Sequence, residues 1–107
     1  MQKKRMEKLK EFLAKDPTDS FAKFALALEY VNLSELDTAR ALFEELQQDD
    51  PEYVGLYYHL GKLYENLDET GPAITTYNKG IEVAENAADE HSASELRQAL
   101  LEIESED

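Results

Sequence analysis

The chain contains no cysteine, which excludes disulfides, thiolate metal sites and a cysteine nucleophile, and fits a reducing compartment with the cytoplasm as the default. Nowhere do about 18 apolar residues run together to span a bilayer, and the N-terminal MQKKRMEKLKEFLAK is basic but lacks the apolar core of a secretory signal. A soluble protein is expected. Basic residues are scarce: 11 Lys and Arg stand against 24 Asp and Glu, for a net charge of -13. So acidic a body repels nucleic-acid phosphates and anionic lipid, so neither nucleic acid nor membrane is expected as a partner. Residues 1–15 reverse this balance, with six Lys or Arg against Glu7 and Glu11, and read as a solvated face attracted to the protein's own acidic surface. No stretch alternates at period two, which argues against strands.

What is present is helical periodicity. The apolar series Phe21, Phe24, Ala25, Leu28, then Leu36, Ala39, Leu42, Phe43, Leu46, then Leu56, Leu60, Leu63, Tyr64, Leu67 predicts an all-α fold, and 107 residues suit one compact domain. Asp16-Pro17 and Asp50-Pro51 separate helices, because the residue before proline is pushed out of helical geometry. Ser34-x-x-Asp37 has the form of a capping box with aspartate for glutamate, and Thr70-Gly71-Pro72 places proline in a first helical turn.

These segments repeat. A shift of 34 residues pairs Leu26 with Leu60, Ala27 with Gly61, Tyr30 with Tyr64, Asn32 with Asn66, Leu33 with Leu67, Ala39 with Ala73 and Phe43 with Tyr77. Small residues match small and large match large, the mark of a helix-turn-helix unit that buries its faces by stacking. The pattern resembles the tetratricopeptide repeat (TPR) family. Residues 54–87 carry its Tyr57, Leu60, Gly61, Tyr64, Ala73, Tyr77 and Gly80, lacking only the closing proline, where Glu85 stands. Residues 20–53 carry Leu26, Ala27, Tyr30, Ala39, Phe43 and Pro51, but have Lys23 at the aromatic position and Leu46 at the later small one.

The resemblance implies a right-handed α-solenoid of antiparallel helix pairs, about six helices, in a single domain. Its parts are a half-repeat helix at 1–16, repeat one at 20–53, repeat two at 54–87 and a capping helix at 88–107. The first helix is expected to bury Met6, Leu9, Phe12 and Leu13. In the last segment His91, Ser94 and Glu95 fall where an aromatic, Leu and Gly would stand, while Leu96, Leu100 and Ile103 still form a stripe. Gly61, mid-helix and about 1 kcal/mol worse there than alanine, is expected to let its helix approach Ala73 of the next, with Tyr and Phe filling the flanks.

In this family the first helices line a concave groove that holds a peptide or a partner helix. By register the groove positions are Phe21, Phe24, Leu28, Val31 and Asn32 in repeat one, and Gly55, Tyr58, His59, Lys62, Glu65 and Asn66 in repeat two. Phe24, Leu28 and Tyr58 are expected as anchors, with Asn32, Lys62 and Asn66 orienting the partner backbone. The chaperone-binding branch grips a terminal carboxylate with Lys and Asn, but here Phe24 and Leu28 hold those places and His59 replaces an Asn. An apolar or basic-flanked protein or peptide therefore suits this groove better than an acidic tail. Two alternatives stand beside this one: a homodimer through the same surface, or Phe21, Phe24, Leu28 and Val31 as core beneath the terminal helices.

Chemistry is hard to assemble from these residues. His59 and His91 are the two histidines. His59 reads as a groove-lining polar residue, and His91 with Glu95 supplies two ligands where zinc needs three or four. There is no phosphate-binding Gly-rich loop, no HExxH and no EF-hand spacing, so no metal, no cofactor and no enzymatic activity are expected.

Overall fold

A computed structural model describes the backbone of residues 2–105 and the side chains of residues 4–105. Met1 and residues 106–107, the extremities of the expected half-repeat and capping helices, lie outside the described residues. The described residues form six α-helices and no strand: α1 Gln2–Lys15, α2 Ser20–Asn32, α3 Leu36–Asp49, α4 Gly55–Asn66, α5 Thr70–Asn86 and α6 Glu90–Glu104. Two compact units divide the chain, Met1–Tyr53 and Val54–Asp107. In the first, α2 packs against both α1 and α3; in the second, α5 packs against both α4 and α6, and α4 also touches α6.

Two kinds of turn join these helices. After α1 and α3 the chain runs through Asp-Pro, and the N–H groups of Asp19 and Tyr53 donate back to the carbonyls of Asp16 and Asp50. After α2, α4 and α5 the chain enters the left-handed region at Ser34, Asp68 and Ala88, with φ of 60, 59 and 58°. The N–H groups of Glu35, Glu69 and Asp89 then close each turn on the carbonyls of Tyr30, Tyr64 and Ala84. Ser34 is therefore not the N-cap expected of it. Its left-handed conformation belongs to the end of α2, and Glu35, without a side-chain cap bond, precedes α3.

Glu85 standing where repeat one has Pro51 has a consequence for length. Pro51 stands two residues past the end of α3, whereas α5 runs on to Asn86 before its left-handed turn. The capping residues record the resulting shift. Asp19 accepts a hydrogen bond from Ala22 N at 3.0 Å and Asp89 accepts one from Ser92 N at 3.0 Å, so position 89, and not 87, corresponds to 19 and 53. The step from repeat two to the capping helix is thus 36 residues. On that count Leu60 corresponds to Leu96, Leu63 to Ala99, Tyr64 to Leu100 and Leu67 to Ile103, and Leu96, Ala99 and Ile103 are indeed buried.

In the first unit Met6 and Leu9 of α1 pack on Ala22, Ala25 and Leu26, flanked by Leu13, Tyr30 and Leu42. Phe12, expected in the same stripe, is 47% exposed. Leu13 continues the three-four spacing of Met6 and Leu9, and Phe12 lies about 100° around the helix from it. Two basic residues of α1 reach α2: Arg5 Nε is 3.7 Å from Glu29, and Lys10 lies 5.9 Å from the Tyr30 ring centroid.

Gly61 has a different neighbour from the one expected. A Cβ on it would come within 2.2 Å of Tyr77 Cε1, and its three nearest atoms all belong to that ring. The aromatic of α5, not Ala73, occupies the space that the missing side chain leaves. Gly80 plays the converse part, since a Cβ there would meet Tyr57 Cβ at 2.5 Å and Leu96 Cδ1 at 3.0 Å. Tyr77 of α5 and Tyr57 of α4 thus each seat on a glycine of the other helix, and burial of two such rings contributes roughly 1.5–3 kcal/mol apiece.

Candidate functional site

The second unit holds a cleft of about 380 Å³ between α4 and α6. Tyr58 forms its α4 side; His91, Ser94, Glu95, Gln98, Ala99 and Glu102 form the other. Counted back by 36, His91, Ser94, Glu95, Gln98 and Glu102 correspond to Gly55, Tyr58, His59, Lys62 and Asn66, five of the six groove positions of repeat two. The capping helix therefore presents the same face as α4. Sequence reasoning missed these five residues because the step of 34 rotates α6 by two positions; the capping pattern Asp89-x-x-Ser92 was the available signal.

Polar groups converge around Tyr58. Lys62 Nζ lies 5.6 Å from the Tyr58 ring centroid, 3.8 Å from Glu65 Oε2 and 3.8 Å from Glu102 Oε1. Behind them the Tyr77 hydroxyl donates to Glu65 Oε2 at 2.5 Å. Burial, reinforced by the hydrogen bond and charge of Glu65, pushes the Tyr77 phenol far above the usual tyrosine range. Gly61 admits the Tyr77 ring, Tyr77 fixes Glu65, and Glu65 lies on one side of Lys62, so the repeat packing positions the ammonium beside Tyr58.

His59 is half-buried, and its ring meets that of Tyr58 edge-on with centroids 5.5 Å apart. Burial lowers its pKa below the ordinary imidazole value, opposed by the charge of Glu95. His91 Nε2 is 3.6 Å from Glu95 Oε2, and among the described residues no three His, Asp or Glu side chains gather closely enough to hold a metal ion. Asn66 is exposed.

The repeat-one positions form a separate face on α2. Phe21 is 63% exposed, so it is not covered as core; Phe24, Leu28 and Val31 are half-buried, and Asn32 is exposed. Phe24 packs in the first unit against Phe43, edge-on at 6.1 Å, and against Tyr53 at 5.3 Å. Burial, with the charges of Asp50 and Asp19, raises the Tyr53 phenol pKa.

Helix pairs in a repeating register, one of them seated ring-on-glycine and presenting a side-chain-lined cleft, define a helical-repeat protein of the kind used for protein–protein interaction. A tetratricopeptide repeat family model matches residues 54–86. The solution structure of a tetratricopeptide repeat domain protein from Salinibacter ruber is 51% identical, covering 86% of this chain and 93% of that one, with a TM-score of 0.82. A crystal structure of a tetratricopeptide repeat domain protein from Salinibacter ruber is 50% identical, covers 83% of this chain and 99% of that one, and has a TM-score of 0.80. The chain belongs to the tetratricopeptide repeat family. At 18% identity, the TPR2B domain of yeast Sti1 in its pHsp70 complex shares the fold, with a TM-score of 0.87 over 95% of this chain and 82% of that one. No curated protein matches the chain. No helix among the described residues is long and apolar enough to cross a membrane.

Proposed function

We propose that this chain is a non-catalytic adaptor that binds one polypeptide, as an extended peptide or a helix, with Tyr58 in the α4–α6 cleft as its central contact. The observation that carries the reading is the cleft itself: a half-buried aromatic on α4 faced by the polar inward residues of α6. The exposed Phe21 on α2 offers a further apolar contact. That a tetratricopeptide repeat domain of yeast Sti1 is found in complex with pHsp70 supports a polypeptide as the class of ligand. The lack of a Lys-Asn clamp at Phe24, Leu28 and His59 argues for an apolar or basic-flanked sequence over an acidic tail.

Selection of displayed random peptides on the immobilised full chain tests this. Selected peptides should lose most of their binding to Tyr58→Ala and part of it to Phe21→Lys, with helicity unchanged by circular dichroism. Phe21 is a better choice than Phe24, whose ring is packed against Phe43 and Tyr53. Peptides that bind both variants like the parent would defeat the reading. A homodimer in light scattering, broken by the same substitutions, would give the surface to self-association instead.

A further inference from the structure

Resting on the polypeptide-binding reading above, we propose that the α4–α6 cleft is a seat for an arginine side chain of the partner. The guanidinium would stack on the Tyr58 ring with Glu95 and Glu102 as its counter-charges, competing with Lys62, which approaches Tyr58 and Glu102 from beside the cleft.

The lining residues set the charge of the ligand. Apart from the histidine His91, they include no basic side chain, while Glu95 and Glu102 open to solvent at 54% and 59% exposure. An aromatic face beside two solvent-open carboxylates recognises a cation. The protein's own Lys62 already demonstrates the interaction, lying 5.6 Å from the Tyr58 centroid and 3.8 Å from Glu102. It is held loosely, because 3.8 Å to each of Glu65 and Glu102 is beyond hydrogen-bond distance and its side chain is 37% exposed. An incoming cation can therefore replace it, leaving Lys62 paired with Glu65, which Tyr77 keeps in place.

Arginine suits the seat better than lysine. Its planar, weakly hydrated guanidinium stacks on a ring while its edge N–H groups reach carboxylates, which an ammonium does less well. The net charge of -13 adds a long-range attraction for a basic segment.

The test is an NMR titration of the full chain with Nα-acetyl-arginine methylamide, using the neutral citrulline analogue as control. The arginine probe should shift the amides around Tyr58, Glu95 and Glu102 in a saturable way, and the citrulline analogue should not. Tyr58→Ala and Glu102→Gln should each weaken binding by about threefold or more. Lys62→Met, by removing the competing ammonium, should tighten it by about threefold. Equal shifts with citrulline, or weaker binding by Lys62→Met, would overturn the proposal and leave Lys62 as a partner contact. The displayed peptides separate this inference from its parent. Recovered sequences enriched in arginine support both; peptides without that enrichment overturn the seat alone, and recovery of none overturns both.

Discussion

Lys23 in the first unit and Tyr57 in the second stand one repeat apart, and both are buried, yet they solve the same packing position with opposite chemistry. Tyr57 lays its Cβ against Gly80. In the first unit the place of Gly80 is taken by Leu46, and the aliphatic stem of Lys23 replaces the ring. Its ammonium is then met by Glu45 at 2.8 Å and Asp49 at 3.2 Å, where the second unit has Lys79 and Val83. Burial alone would lower the Lys23 pKa, but the hydrogen bonds and charges of those two carboxylates outweigh it and raise it. A second exchange follows the same rule. Tyr77 with its partner Glu65 corresponds to Phe43 with Val31, so a hydroxyl and its acceptor are present together or absent together. What repeats is a set of volumes, and the polar chemistry is swapped in pairs so that no group is buried alone.

The largest break in this comparison should come at Gly61. Repeat one tolerates alanine at position 27, but Gly61 has the Tyr77 ring where a Cβ would stand. Gly61→Leu should cost about 3 kcal/mol through overpacking. Gly61→Ala should cost less, since it sets only one carbon against the Tyr77 ring while gaining about 1 kcal/mol of helix propensity. Thermal melts read both. Ala27→Leu at the matching position is the comparison, and an unchanged melt for Gly61→Leu would remove the account of the glycine.

The exchange at Lys23 can be tested by converting one unit into the other. Lys23→Tyr alone should destabilise the first unit by about 2 kcal/mol, because the ring meets Leu46 and leaves Glu45 and Asp49 without their ammonium. Adding Leu46→Gly, which recreates the Tyr57–Gly80 pair, should recover about half of that loss. A double-mutant cycle in urea with no coupling would mean that the two positions are independent.

The helices, their register through residues 20–87 and the ring and small-residue positions were legible from the 34-residue step, because buried volume must recur for stacked units to pack. The cleft was only half legible. Tyr58, its α4 side, followed from that step, but its opposite wall did not, since a proline's absence at Glu85 changes the length of α5 and so the phase of α6. Lys23 could be seen as a departure from the pattern, but its partners Glu45 and Asp49 lie on α3 and depend on how the pair closes. The partner of Gly61 likewise depends on a ring rotamer, which periodicity does not specify.

The Tyr77–Glu65 bond sharpens the contrast with Phe43 through pH. A tyrosine whose folded pKa is raised binds its proton more tightly in the native state. Its stabilisation is therefore complete below the ordinary value of about 10 and lost as pH rises above it. Tyr77→Phe, which makes the second unit resemble the first, should cost about 1 kcal/mol at neutral pH and flatten the alkaline fall in urea midpoint. A variant retaining the full alkaline fall would assign it to another group.

The smallest effect is expected at the turn by which the second unit enters α6. The first unit enters α2 through Asp16-Pro17, whereas the second enters α6 through Ala88 at φ 58°, a conformation that costs an L residue with a Cβ about 1–2 kcal/mol. Ala88→Gly removes that strain but loosens the unfolded chain, which opposes it by about 0.4–1 kcal/mol, so the net gain should be about 0.5 kcal/mol. Asp68 occupies the same conformation in the turn between α4 and α5, and Asp68→Gly should gain less, because aspartate tolerates the left-handed region better than alanine does. Melting both variants against the parent reads the difference. Equal gains at the two sites would show that the strain belongs to the turn and not to the residue that fills it.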